Sequence, residues 1–172
     1  MIFGINEQKE DVYIKSNFVL NKAKYTLDNT DEWYTTYDIV AEEVAHYREQ
    51  FKGKIVLCNC DDPYASNFCY YFLKQFNVLQ LKKLICTSYK GSKIDQIDNQ
   101  LELNLIDSDG DPVLLNRGYV LSVTDMPGKI GDEVSDITIK QVLNDKKSVK
   151  KLLGSGDFRS EECIRYLKEC DI

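Results

Sequence analysis

The sequence predicts an α/β domain with a parallel sheet. Two short, continuously apolar runs, "KIVLCNC" and "LKKLICTSY", read as strands buried on both faces. Segments with helical spacing precede and separate them, so helix, strand, helix, strand repeats along the chain. A cluster of carboxylates, proline and asparagine closes the first run and turns into a helix, the kind of corner where open α/β sheets collect ligands.

The chain has 172 residues, enough for one domain with a full core. We expect an N-terminal arm over residues 1–30 and the domain itself over 31–172. Apolar residues make up 43% and charged residues 29%, ordinary values for a globular protein. The net charge of −6 gives no overall nucleic-acid footprint, since duplex binding usually needs a surplus of Lys and Arg. A local basic face around Lys146, Lys147, Lys150 and Lys151 is compatible with that total. The six cysteines sit mostly inside apolar runs, and no leader peptide or bilayer-length apolar stretch is visible. The expectation is a cytoplasmic protein with reduced, mostly buried thiols. No metal site is expected. Cys58-x-Cys60 has the wrong spacing for a zinc knuckle, and His46 is the single histidine.

Residues 11–25, "DVYIKSNFVLNKAKY", fit a helix or an extended arm. Val40, Val44, Tyr47 and Phe51 then recur at helical spacing, and Lys52-Gly53 offers a C-terminal cap. After "KIVLCNC", Asp62 or Ser66 can cap the next helix, with Pro63 in its first turn. "LELNLI" and "PVLLNRGYVLSV" flank the turn-rich "DSDGD" and predict an inserted β-hairpin. A calcium loop fails there on register. Gly110 comes two positions too early, and Gly118 stands where the bidentate Glu belongs. "DEVSDITIKQVLNDKKSVKKLL" reads as loop and then helix. "GSGDF" reads as a short turn or strand end. Ser160 caps a final helix with Glu161 and Glu162 in its first turn and Cys163, Ile164, Leu167 and Cys170 on its apolar face. The next element of a βαβ unit is a strand, and "DI" stands where it begins.

Three clusters carry candidate chemistry, each beside a plainer reading. In "DEWYTT", Trp33 and Tyr34 can clamp a flat ligand while Thr35 and Thr36 hydrogen-bond it, or can simply pack at a helix start. Asn59, Asp61 and Asp62 can accept from an ammonium or ribose hydroxyls at the strand end, or Asp62 can cap the helix while Asp61 faces water. In "GSGDFRS", Asp157 can accept from an adenine amino group with Phe158 against the ring while Arg159 pairs with an acidic group, or the stretch can be a glycine turn before a capped helix. Together the three suit a ligand made of an amino acid and a nucleoside.

"DEWYT", "KIVLCNCDDPYASNFCYYF", "LKKLICTSYK" and "GSGDFRSEECIRYLKECDI" together resemble the EcoRI-type adenine-specific DNA methyltransferases. The resemblance implies a Rossmann-like S-adenosylmethionine-dependent methyltransferase fold, incomplete here and with the inserted hairpin. It implies S-adenosylmethionine as cofactor, bound by Trp33, Tyr34, Thr35, Asn59, Asp61, Asp62, Asn67, Asp157 and Phe158. It implies methyl transfer to N6 of a flipped-out adenine in duplex DNA. Two departures stand against the family pattern. The cofactor loop "CDDPYASNF" has no glycine, and the Asn-Pro-Pro-Phe catalytic tetrad is absent. "DDPY" lacks the tetrad's first proline and fits the cofactor loop better. The expectation is therefore the N-terminal part of such an enzyme, with no catalytic residue of its own, inactive alone and with weak or no DNA binding. The alternative is a non-catalytic interaction module, with an open sheet edge that invites homodimers.

Overall fold

The structure, a computed structural model, describes residues 35–93 and 117–172. The arm of residues 1–30, the Trp33–Tyr34 pair, and the turn and first strand of the expected hairpin lie outside the described residues.

Helix α1, Tyr37–Ala45, buries Val40 and Val44. The helical spacing read through Phe51 breaks after Ala45, and a 3-10 turn, Arg48–Phe51, finishes the segment. Gly53 takes φ +70°, and its N–H donates to the Gln80 carbonyl at 2.9 Å. Strand β1, Ile55–Cys58, follows. Helix α2, Asn67–Lys74, starts at Ser66, whose Oγ accepts from Cys69 N–H at 3.0 Å. Ser66 is thus the cap, and Pro63 lies in the preceding turn rather than in the helix. A short helix α3, Phe76–Leu79, ends at Gln80 in the left-handed region. Strand β2, Lys83–Ser88, and strand β3, Tyr119–Val123, come next. Helix α4, Asp136–Leu143, is capped by Ser135. Strand β4, Val149–Lys151, stands where the sequence suggested a continued helix. Helix α5, Glu161–Glu169, is capped by Ser160 as expected.

The strands form a mixed four-stranded sheet in the order β1-β2-β3-β4. Only β1 and β2 are parallel; β3 runs antiparallel to β2, and β4 antiparallel to β3. The expected parallel pairing thus holds for β1 and β2, while β3 and β4 add antiparallel strands. The α/β class stands.

Side chains alternate across the sheet, as strand geometry requires. Val56, Cys58, Leu84, Cys86, Leu121 and Val123 face the large core formed with α1, α2, α3 and α4. Ile85 and Val120 face the smaller core formed with Leu152 and Cys163, against which Ile55, Leu57 and Tyr166 pack. All six cysteines are free thiols. Burial pushes the Cys86 thiol well above its ordinary range, with Cys58 and Cys69 as thiol neighbours. No cluster among the described residues could hold a metal ion. No helix among them is long and apolar enough to cross a membrane.

After α5 the chain turns back along β1. Asp171 and Ile172 N–H groups donate to the Ile55 carbonyl at 2.8 and 3.2 Å, and Leu57 N–H donates to the Ile172 oxygen at 2.9 Å. This is the hydrogen-bond pattern of a parallel bridge. The Asp171 carboxylate adds a bond from Ile55 N–H at 2.8 Å.

Ile85 is fully buried, whereas Ile164 on α5 remains 36% exposed. We expect Ile85→Ala to cost about 2–5 kcal/mol in urea unfolding, and Ile164→Ala well under half of that. Equal costs would contradict this assignment of the smaller core.

Candidate functional site at the carboxyl end of the sheet

The end of β2 organises the site. Thr87 and Ser88 are buried polar residues at that end. Thr87 Oγ1 accepts from Cys60 N–H at 3.2 Å and donates to Asn59 Oδ1 at 2.9 Å. The Thr87 carbonyl accepts from Asp61 N–H at 2.6 Å. The loop that follows β1 is thereby tied down across three consecutive residues.

The loop after β4 reaches the same place. Lys90 N–H donates to the Ser155 carbonyl at 2.7 Å, and Gly118 N–H to the Gly154 carbonyl at 2.9 Å. A Cβ on either Gly118 or Gly156 would drive into the Ser88 carbonyl oxygen, so three backbone segments meet at this point. Gly156 also has φ +79°, a region that favours glycine.

Asp61 is mostly desolvated, and burial raises its carboxyl above the ordinary range. A hydrogen bond from Ser66 opposes the shift and the Asp62 charge reinforces it. Ser66 Oγ donates to Asp61 Oδ2 at 2.5 Å while also capping α2. No Lys, Arg or His among the described residues offsets that half-buried carboxylate. Asp62 is occupied in holding backbone. Its Oδ1 accepts from Tyr64 N–H at 2.9 Å and its Oδ2 from Lys93 N–H at 2.5 Å. Asn59 spends its Oδ1 on Thr87. Asn67 Nδ2 donates to the Thr35 carbonyl at 2.7 Å, which ties the end of the "DEWYTT" segment to the start of α2.

Asp157 is forked by Arg159. Its Oδ1 accepts from Arg159 N–H at 2.8 Å and Nε at 3.0 Å, and its Oδ2 from Nη2 at 2.7 Å. These bonds hold the carboxyl down at about 2, with the Arg159 side chain the largest cause. Phe158 stands 51% exposed. The Arg159 guanidinium lies 5.5 Å from the centroid of its ring.

Cys60 joins the two loops. Burial raises its thiol first, with Cys163 adding to the rise and a hydrogen bond from the Phe158 backbone opposing it. Its φ of +57° lies in the left-handed region. The loop without glycine therefore still contains one glycine-like residue, and Cys60 is it.

Of the residues named from sequence, Thr35 and Asn67 adjoin Ser66 and hence Asp61, and Asn59 and Asp61 meet Asp157 and Phe158 through Cys60. Asp62 is turned to the backbone of Tyr64 in its own loop and of Lys93 after β2. A separate surface depression, lined by Arg48, Glu49, Lys52, Val78, Leu79 and Gln80, lies at the opposite end of β1 and β2. It has no part in this constellation.

The family model for adenine-specific methyltransferase EcoRI matches residues 19–172. The chain belongs to this family. It is 36% identical over 157 residues to the type II methyltransferase M.EcoRI of Escherichia coli, which covers 91% of this chain and 40% of that protein. It is 33% identical over 152 residues to the type II methyltransferase M.MpnI of Mycoplasma pneumoniae, covering 88% of this chain and 34% of that protein. The chain thus spans less than half the length of these relatives. No solved structure matches it.

Within this EcoRI-type chain, sequence reasoning missed Thr87, Ser66 in its bond to Asp61, and Cys60 as parts of the site, whereas the acidic partner expected for Arg159 is found in Asp157. Thr87-Ser88 did carry a signal. Two hydroxyl residues closing an apolar strand are buried only where backbone or side-chain partners wait for them.

Cys60→Gly should leave unfolding stability within about 1 kcal/mol, because relief of the left-handed strain offsets glycine's extra chain entropy. Cys60→Val should cost at least about 1–2 kcal/mol, since β-branching is poorly tolerated there. Thermal melts of the two variants that coincide would refute the strained assignment.

Proposed function

We propose that this chain is the S-adenosylmethionine-binding part of a DNA adenine-N6 methyltransferase, built on a Rossmann-like sheet into which a hairpin is inserted after β2. The observation that carries the reading is the pair of unlike carboxylates brought together by Cys60. Asp61 is desolvated and lacks a cationic neighbour among the described residues, which suits the ammonium of an amino-acid moiety. Asp157 is held ionised beside an exposed ring, which suits the amino edge and face of an adenine. The donor set therefore fits S-adenosylmethionine, which carries both groups and supplies an activated methyl.

In this reading Asp61 takes the methionine ammonium, oriented by Ser66. Asn59, Thr35 and Asn67 line that end. Asp157 and Phe158 take the adenine. Asp62 has the supporting role of holding the loop. Adenine in duplex DNA is the methyl acceptor of the whole enzyme. The 172 residues contain no Asn-Pro-Pro-Phe tetrad, so we expect the chain by itself to bind the methyl donor without transferring the methyl. The acidic balance agrees with a part that carries little of the DNA contact.

Calorimetric titration with S-adenosylmethionine tests the reading. Asp61→Asn and Asp157→Asn should each weaken binding by about tenfold or more, as expected for a lost charge-assisted hydrogen bond. A folded wild-type chain that gives no heat at millimolar ligand would refute the proposal.

The Asp61 environment also fixes a pH dependence. Its carboxyl is raised above 3.8, so the folded chain holds that proton more tightly than the unfolded one. Ionising Asp61 therefore costs stability, and the cost grows as pH rises from about 4 until the folded-state value is passed. Without ligand, Asp61→Asn should gain stability relative to wild type between about pH 4 and pH 7. A difference in unfolding free energy that is flat across that range would contradict it.

A further inference from the structure

Arg159 directs its backbone N–H and two of its guanidinium nitrogens at one neighbour. Its N–H, Nε and Nη2 all donate to Asp157, while its own side chain is 75% exposed. Such a fork two residues away is more than stability requires of a surface ion pair. Its consequence lies in what it leaves of Asp157. A carboxylate offers about four acceptor sites, two on each oxygen. Both sites on Oδ1 are filled by Arg159 N–H and Nε, and one on Oδ2 is filled by Nη2. One acceptor site remains, on Oδ2, and the carboxylate cannot turn without breaking bonds to Arg159.

The Arg159 guanidinium also lies over the Phe158 ring, which fixes Arg159 against the aromatic next to it. The backbone behind is immobile as well, because Gly156 is wedged against Ser88 and Gly118. The remaining acceptor on Asp157 thus has a fixed direction beside an exposed aromatic surface.

We propose that Arg159 is a positioning residue that turns Asp157 into a selective reader of a purine edge, accepting a 6-amino group and excluding a 6-oxo group. The inference rests on the nucleoside-binding reading of this site. A pinned, ionised carboxylate can accept from an amino group. It can donate nothing to an oxo group, and it cannot swing away to avoid the lone-pair repulsion. Without Arg159 the carboxylate is free to rotate into water, so it neither holds the amino edge as well nor repels the oxo edge.

The test uses the 172-residue chain and two probes, S-adenosylhomocysteine and S-inosylhomocysteine, in calorimetric titrations. Wild type should prefer the adenosyl probe by about tenfold or more. Arg159→Gln should bring the two affinities within about threefold of each other, partly through tighter binding of the inosyl probe than wild type shows. Arg159→Lys, which keeps the charge but cannot fork, should fall between. General damage lowers both affinities together and cannot produce the gain for the inosyl probe, and melting curves check that each variant is folded. If Arg159→Gln keeps the wild-type preference, the positioning role falls while the binding site stands. The role falls too if wild type binds both probes equally. If the folded wild type binds neither probe, the nucleoside reading itself falls, and this inference with it.

Discussion

Two buried hydroxyl residues at the end of β2 hold the carboxyl edge of the sheet together. Thr87 satisfies the loop after β1 with its carbonyl and both functions of its hydroxyl. Ser88 Oγ accepts from Tyr119 N–H at 3.2 Å and from Ser92 Oγ at 3.2 Å, and its carbonyl receives the close approach of Gly118 and Gly156. Neither residue touches solvent appreciably, so each bond lost would leave a buried polar group unpaired. The loops bearing Asp61 and Asp157 are far apart in sequence, and β2 is their common anchor. Proximity of the two carboxylates is therefore a property of this strand end more than of either loop.

The missing glycine in the first loop has a physical resolution. A glycine serves two purposes at a phosphate or nucleoside loop, a positive φ and a close backbone approach. Here the two purposes are separated. Cys60 supplies the positive φ, while Gly118 and Gly156 allow close backbone packing against the Ser88 carbonyl at the end of β2. The first loop then presents side chains, Asp61 above all, where a glycine loop would present backbone N–H groups.

The sequence made some of this legible and hid the rest for identifiable reasons. β1 and β2 showed because both are continuously apolar, and α5 showed because Ser160, Glu161 and Glu162 form an unambiguous start. β4 was hidden because "VKK" is three residues long, two of them lysines, and among the described residues it pairs only with β3. The direction of β3 was hidden because its pattern is the same in either orientation, while antiparallel pairing depends on the connection before it. Asp61 and Asp157 were recognisable as candidates from their place at strand and helix junctions. Asp62 looked equivalent to Asp61 by position, yet the turn at Pro63 directs its carboxylate to Tyr64 and Lys93. Adjacent residues at a tight turn point to different places, and a one-dimensional reading cannot tell which of two carboxylates keeps its acceptors free.

Helix α5 makes the second loop as fixed as the first. At its start, Ser160 Oγ accepts from Cys163 N–H at 3.2 Å, and Cys163 is buried on the small core under the sheet. At its end, Lys83 Nζ meets Glu169 at 2.5 Å, and Asp171 and Ile172 pair with β1. The surface ion pair contributes little by itself. The backbone pairing is worth more, because it places the helix across the sheet from β4 to β1 and anchors it on the strand whose other end leads to Asp61. A shift of α5 along its axis would have to break the pairing to Ile55 and Leu57 and pull Cys163 out of its core together. The Asp157 loop is the direct N-terminal extension of that helix, with Ser160 N–H bonded to the Asp157 carbonyl at 2.9 Å. The Asp157 carboxylate is thus held from three sides: by Arg159 at its oxygens, by Ser88 against the neighbouring Gly156, and by β1 through the length of α5.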